Sequence, residues 1–309
     1  MLPLWLMAIC IASCSSSDDD NNVEPTPADT SVQARIDSIA LPSDDPALFK
    51  FDYDKNKVKN YAINVRWLWT KTFGRDSVTF DYLQDRIVAN MSFLKETGSW
   101  GMHAKVKRTA TFYLQGGMIV AASLPLQMHE TLKDSIQYYY EGGKLSKYTV
   151  YEVTPAAAPF FKYEQRLLWN DVELTGMTAT KDGETIYETT FTYNDHAFSA
   201  LLPYMTFDYQ LDNDKTYISV LANMGYFGML PRHDLSAITI FDKRVHYRHQ
   251  CQISYNYAAN GLPDSFDYKY VKAFSGYEPE TWQVVVEDGW QTTESQNITG
   301  VRVAWSEAN

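Results

Sequence analysis

The residues Val245-His246-Tyr247-Arg248-His249-Gln250-Cys251 come nearest to a metal site in this chain, since two imidazoles and a thiol are donors that zinc favours. Their spacing argues against it. On a strand successive side chains alternate between faces, so His246 and His249 point apart and only His249 and Cys251 share a side. A packing cysteine beside a hydrogen-bonded histidine is the reading that remains. His129-Glu130-Thr131-Leu132-Lys133 begins like a zinc-protease helix, but Lys133 stands where the second histidine must sit. Asp212-Asn213-Asp214 begins like a calcium loop, yet Tyr217 occupies the place of the turn glycine and Asn223 that of the bidentate glutamate. Gly116-Gly117 and Gly142-Gly143 lack the following lysine or helix that would make them phosphate cradles. There is no Gly-x-Ser-x-Gly elbow, and nothing in the sequence activates Cys251 as a thiolate. Carboxylate pairs such as Glu278 and Glu280 become a glycosidase dyad only through spatial separation, which sequence does not show. The expectation is a protein without metal or cofactor that is not an enzyme, with an extracytoplasmic hydrolase as an alternative.

Aromatic side chains offer binding chemistry instead. Trp67 and Trp69 alternate in one segment, and Trp282, Trp290 and Trp305 lie toward the end of the chain. Facing solvent, they could stack on sugar rings or line a cavity for an apolar ligand; facing inward, they fill a core. Arg66 and Leu68 on the opposite face make the tryptophans the natural buried set.

An eight-residue pattern organises these residues. Phe80-Asp-Tyr-Leu-Gln-Asp-Arg-Ile87 recurs without gaps from Phe51, Thr111, Tyr138, Phe191 and Tyr255, with aromatics at its first and third places in every copy except that at Thr111, where only Tyr113 remains. The eighth place is always apolar: Val58, Ile87, Met118, Leu145, Phe198 and Leu262. The sixth holds Asn56, Asp85, Gly116, Gly143, His196 or Asn260, types that tolerate positive φ, so each copy reads as a β-hairpin with a tight turn. Phe161-Lys162-Tyr163 with Leu168 reads as a degraded copy. Val78, Phe80 and Tyr82 point one way while Ser77, Thr79 and Asp81 point the other, which predicts a half-buried antiparallel sheet. One helix interrupts the period: Asp214 can cap a run in which Tyr217, Ile218, Leu221 and Met224 share a face, and Gly225 can end it.

With 309 residues, 45% apolar and 15% aromatic, the chain can bury a large core, and residues 32–309 read as one all-β domain. Its net charge of -11 argues against nucleic acid and against anionic lipid as partners. The cysteines Cys10, Cys14 and Cys251 do not form a disulfide framework, because two of them lie in an N-terminal apolar run. That run is shorter than the roughly 20 apolar residues a spanning helix needs. It ends in Ile11-Ala12-Ser13-Cys14, which resembles the bacterial lipobox, although no Lys or Arg precedes it. The resemblance implies a signal peptide over 1–13 and lipidation at Cys14; the Ser, Asp, Asn, Pro and Thr that follow have almost nothing to bury, so 14–31 reads as a disordered acidic tether. The acidic opening Ser15-Ser16-Ser17-Asp18-Asp19-Asp20 resembles the export signal of Bacteroidetes surface lipoproteins.

The octets resemble the tyrosine-aspartate type of β-repeat. The whole layout, with Val220-Leu221-Ala222-Asn223-Met224-Gly225-Tyr226-Phe227-Gly228 followed by Leu230-Pro231, resembles a Bacteroidetes family of lipoproteins of unknown function with a porin-like fold. The resemblance implies a lipid anchor in the outer membrane, on the cell surface or on the periplasmic face, and brings no catalytic residues. A transmembrane barrel is disfavoured, because candidate outward positions hold Asp52, Gln137, Lys162 and Asp267. The fold expected is mainly β: a curved antiparallel sheet or half-barrel of repeated β-hairpins with one short helix. The function expected is non-enzymatic binding of a glycan, peptide or apolar ligand, with a structural or adhesive surface role as the alternative.

Overall fold

The computed structural model describes residues 34–40, 49–66, 73–96, 103–126, 131–199, 216–274 and 291–307. The strands are β1 (Ala34–Ala40), β2 (Phe49–Asp54), β3 (Lys57–Arg66), β4 (Phe73–Tyr82), β5 (Arg86–Glu96), β6 (His103–Gln115), β7 (Met118–Pro125) and β8 (Lys133–Glu141). They continue as β9 (Lys144–Val153), β10 (Phe160–Trp169), β11 (Leu174–Lys181), β12 (Glu184–Ala197), β13 (His233–Asp242), β14 (Tyr247–Tyr257), β15 (Pro263–Phe274) and β16 (Gln291–Glu307). The helix α1 (Thr216–Asn223) lies between β12 and β13. Each strand pairs antiparallel with its sequence neighbours, and β1 pairs with β16, Ile36 opposite Trp305. The sheet is therefore a closed barrel, where a curved sheet or half-barrel was expected. Closure leaves no row of unpaired backbone groups, which is the liability an open sheet of this size must otherwise cover.

Alternation sorts the two faces of the wall. Phe51, Val78, Phe80, Ile87, Phe112, Ile136 and Val150 are buried on the inside, while Asp52, Thr79, Asp81, Lys107, Gln137, Glu188 and Gln252 are exposed on the outside. Burying each large apolar side chain contributes about 1.5–3 kcal/mol, so a slip of one residue in any strand would forfeit several such terms. A sixteen-stranded barrel is wide enough for an aqueous channel when its lining is polar. Here Tyr61, Ile87, Phe112 and Ile119 are fully buried, so the lumen around them is a core.

The turns refine the octet reading. Positive φ falls on Lys55, on Gly116 and Gly117, on Gly142 and Gly143, and on Gly261, so the sixth place carries it in only two copies. In the others a different turn length moves the left-handed residue or dispenses with it. The copy at Phe191 makes no hairpin: β12 runs on to Ala197, and the helix-bearing insertion follows. The degraded copy lies six residues further on than expected. A β-bulge sits between Phe161 and Tyr163, and the turn follows Trp169, where Asn170 N–H donates to the Glu173 carbonyl at 3.0 Å.

A second regularity appears at the barrel end that carries the octet turns. There an aromatic side chain on an even-numbered strand donates a hydrogen bond to a backbone carbonyl of the strand before it. Tyr53 reaches Ile36 (2.9 Å), Tyr82 reaches Val58 (2.7 Å), Tyr140 reaches Ile119 (2.5 Å) and Trp169 reaches Leu145 (2.8 Å). Tyr193 reaches Leu174 (2.8 Å), Tyr255 reaches Leu235 (2.7 Å) and Trp305 reaches Pro263 (2.6 Å). In each case the accepting carbonyl lies two residues beyond the last register pair, as Val58 lies beyond Asn60 opposite Thr79. The side chain thus satisfies a carbonyl at the point where the backbone ladder stops. At the β5–β6 junction Leu114 stands in the aromatic's place, and no such bond is needed, because the ladder continues to Arg86 opposite Tyr113 and Leu114 N–H donates to the Asp85 carbonyl.

The insertion closes this same end from within. Tyr217, Ile218, Val220, Leu221 and Ala222 are all buried, so α1 is enclosed on every side, where burial of one face was expected. Gly225, with φ +78°, ends the helix as expected. The chain then crosses the inner wall: Tyr217 meets Phe112, Tyr226 stacks on Tyr82 and Phe227 meets Tyr138 edge-on. Ile119 N–H donates to the Tyr226 carbonyl and Met229 N–H to the Gly143 carbonyl, each at 2.8 Å. Gly228 is required at the last contact, because its φ is +84° and a Cβ would overlap the Gly143 carbonyl. Asp214, the expected cap, lies outside the described residues.

Two predictions follow from the aromatic bonds. Tyr82→Phe keeps the ring stacking but orphans the Val58 carbonyl, so chemical denaturation should show a loss of about 1–2 kcal/mol, whereas Tyr113→Phe, whose exposed ring has no such bond, should be neutral. Burial pushes the Tyr53 hydroxyl up from 10.0 to about 12, with Asp37 adding to the shift and Arg35 opposing it. Burial also drives Tyr82, Tyr140, Tyr193 and Tyr255 upward. The folded state therefore holds these protons more tightly than the unfolded chain does. Their contribution to stability should be complete below pH about 10 and should fall as pH rises toward 12. Phenolate absorbance titrated alongside circular dichroism should show these tyrosines ionising with unfolding rather than ahead of it.

Candidate functional site

Away from the plugged end, the inner wall between β12 and β15 changes character. One row of register partners runs Tyr187, Asp242, Tyr247 and Phe274 across four strands; the next runs Thr189, Ile240, His249 and Lys272. A third runs Phe191, Ile238, Cys251 and Tyr270. Period-two alternation places all of them on the lumenal face. The sequence predicted a shared side for His249 and Cys251, and the register has it so. His246 takes no face of the sheet, because it lies in the β13–β14 turn with φ +56°.

Between the second and third rows is a small pocket with about 10 Å³ of space, room for one water molecule, lined by Ile238, Ile240, His249, Gln250, Cys251, Tyr268 and Tyr270. Its exposed surface is almost wholly apolar, although several of these residues carry polar groups. There His249 Nδ1 and the Tyr270 hydroxyl share a hydrogen bond of 2.8 Å, which orients the imidazole. Burial pushes the Cys251 thiol up to about 12, against a hydrogen bond with Tyr268, so the sulfur behaves as packing rather than as a nucleophile.

The charges beside the pocket are arranged in layers. Asp242 accepts from Arg244 through the backbone N–H (3.0 Å), Nε (3.1 Å) and Nη2 (3.0 Å). Burial nevertheless pushes its carboxyl upward, outweighing the backbone hydrogen bonds and the charge of His249. The Arg244 guanidinium also lies 4.3 Å from the Tyr187 ring centre, and Lys272 Nζ lies 4.6 Å from that of Tyr247. Two cations are thus held against aromatic faces, an arrangement that keeps long side chains in place in a partly desolvated wall. Further round the wall, Lys162 Nζ reaches the fully buried Asp134 at 2.9 Å. Lys162 was expected to point outward; the bulge at Phe161/Tyr163 takes it out of simple alternation.

A serine, a histidine and an aspartate also meet at the neck of the insertion, without the geometry of a catalytic triad. Asp234 accepts from Ser199 N–H (2.7 Å), from Ser199 Oγ (2.8 Å) and from the Tyr257 hydroxyl (3.1 Å). The His196 ring stacks on Tyr257 with centroids 3.7 Å apart, and so does not stand between the serine and the acid. Glu173 holds His233 Nδ1 at 2.6 Å and accepts from Arg232 N–H at 3.2 Å. Together these bonds fix both ends of the insertion to the barrel. Among the described residues no group of three metal-ligating side chains converges.

Of the tryptophans singled out above, Trp305 is half-buried with its indole N–H committed to the Pro263 carbonyl. Trp67, Trp69, Trp282 and Trp290 lie outside the described residues, as does Cys14. The pocket residues were present in the sequence as an unremarkable His-x-Cys pair. The signal that could have found them was alternation through β13 to β15, which aligns three inward rows once the register is known.

No family model matches the sequence, and no curated protein does. In fold the chain is similar to a crystal structure of a porin-like protein from Bacteroides uniformis ATCC 8492, with a TM-score of 0.53 at 10% identity over 86% of this chain and 95% of that one. A porin-like protein from Bacteroides vulgatus ATCC 8482 aligns with a TM-score of 0.47 at 12% identity over 87% of this chain and 97% of that one. The first likeness shows the porin-like barrel fold implied by the sequence resemblance, and at this identity it shows the fold alone.

Proposed function

We propose that this chain is a lipid-anchored, extracytoplasmic binding module that takes a small, largely apolar ligand on the inner wall of its barrel, without catalysis. The observation that carries the proposal is the small apolar pocket beside His249 and Tyr270, in a barrel whose other end is filled by its own insertion. The space there is about 10 Å³, room for one water molecule, so only the tip of an apolar group lodges in it and the rest of a ligand would lie along the inner wall. The outer wall supports a protein that stands in water: many of its described outward positions, such as Asp52, Lys107 and Gln137, are polar and exposed, although Tyr113, Tyr139 and Leu168 are exposed there too. The lipobox-like Ile11-Ala12-Ser13-Cys14 supports anchoring through Cys14 in the outer membrane. A second reading, a structural surface protein, draws on the same closed aromatic core and polar exterior. It differs in requiring no ligand.

The two readings part on one titration. The fluorescent probe 8-anilinonaphthalene-1-sulfonate should bind the folded protein with saturable, one-to-one enhancement. Ile240→Trp, which blocks the pocket, should abolish that enhancement, with circular dichroism confirming that the variant is folded although overpacking lowers its melting temperature. Enhancement that Ile240→Trp leaves untouched would remove the pocket from the proposal. Metabolic labelling with a fatty-acid analogue should mark the protein and vanish in Cys14→Ala; label that persists in the variant would overturn the anchor.

A further inference from the structure

On the wall opposite the pocket, we infer an anion-binding site at Arg108 that takes a carboxylate carried on an apolar body. This site goes beyond the binding reading above and uses none of the pocket residues, since β7 to β12 separate β6 from β13 around the closed wall. One residue breaks the pattern of the core there. Register partners run Tyr61, Val78, Met91 and Arg108 across β3 to β6. The first three are buried apolar side chains. Alternation with the fully buried Ala110 and Phe112 puts Arg108 on the same inward face, where it is half-buried. A guanidinium drawn into an apolar row carries a desolvation cost, which a paired carboxylate normally offsets.

Among the described residues no carboxylate pairs with Arg108. Its Nη1 donates to the Lys107 carbonyl at 3.0 Å, which holds the guanidinium along its own strand. Nε is buried without a hydrogen-bond partner, and Nη2 has none among the described residues. Nε and Nη2 form the side-on edge of the guanidinium, whose two parallel N–H groups a carboxylate accepts together. The next inward row supplies an apolar contact. Phe93 and Val106 are register partners, each half-buried, one inward step along β5 and β6 from Met91 and Arg108. An acid paired with Arg108 would lay its body against those two side chains. Lys105 and Lys107 are exposed on the outer face, so Arg108 alone among the described side chains of β5 and β6 brings a charge to the inner wall. Its complement is a monoanion with one apolar side. A neutral alcohol would leave half of the edge unmatched, and a sugar would bring hydroxyls to Phe93 and Val106, which offer them no partner.

The experiment titrates octanoate, octan-1-ol and methyl octanoate into the full chain by calorimetry at two salt concentrations. Octanoate should bind about tenfold or more tightly than either neutral compound, as a charge-assisted, two-point pair implies, and added salt should narrow the gap. Arg108→Met, which keeps an unbranched apolar stem, should remove the advantage of the acid and leave the neutral compounds as before. Arg108→Lys should restore part of it, because it returns the charge without the planar edge. Circular dichroism would confirm that both variants are folded. An arginine that only packs along the wall would lower the melting temperature when replaced and leave the ranking of the three compounds unchanged. Ile240→Trp should keep the preference for octanoate, which separates this site from the pocket. Octanoate binding no tighter than octan-1-ol, a preference that survives Arg108→Met, or one that disappears in Ile240→Trp would each overturn the site at Arg108.

Discussion

Where two hairpins of this barrel meet at the octet end, no covalent connection joins them; the chain links them only at the opposite end. The ladder between them stops short of the turns, and an aromatic side chain then donates to the next free carbonyl, as Tyr82 does to Val58 and Trp305 to Pro263. The wall depends on that bond. It satisfies a backbone acceptor that would otherwise be buried without a partner, and it does so with a ring whose body packs against the core. The third place of the octet is aromatic and polar at once because both properties are used. Tyr53, Tyr82, Tyr140 and Tyr193 all serve this way from that place. The exception supports the account, since at Leu114 the backbone ladder runs on to the turn and no side-chain donor is called for.

The lumen follows from the same alternation. Because the octets put their aromatics inward, the barrel is apolar inside and polar outside, which inverts the arrangement of a transmembrane pore. A cylinder this wide cannot be filled by its own wall, and the insertion supplies the missing material. It docks where the pattern is weakest, across β6 to β9, with Ile119 and Gly143 giving it backbone partners and Phe112 and Tyr138 giving it ring contacts. Gly228 marks how close that approach is. The consequence is an asymmetric interior, closed at the octet end and chemically varied on the wall around His249, Lys272 and Asp242.

The pocket lies against the regular strands β13 to β15, with Ile238, Ile240, His249, Cys251, Tyr268 and Tyr270 among its lining. The described part of the insertion before β13 builds closure of the octet end. Nothing about the pocket residues looks irregular in the sequence. They matter only because the wall brings them together.

The sequence by itself determined the strands, their faces, most of the tight turns, the helix and its terminating glycine. Each of these is set within about ten residues, by alternation, by side chains that tolerate positive φ, and by the pairing of aromatic with apolar places in an octet. Closure was not legible, because it depends on β1 meeting β16 with Ile36 opposite Trp305, and no local pattern records whether a curved sheet reaches round to its own first strand. The degraded octet was misplaced for a related reason: the bulge at Phe161/Tyr163 shifts the register of one strand against its neighbour, and a shift of that kind is a property of the pair. The role of Trp305 and the companionship of His249, Tyr270 and Lys272 were likewise decided between strands. Alternation tells each residue which face it takes, and only the register and the closed wall tell it which neighbours share that face.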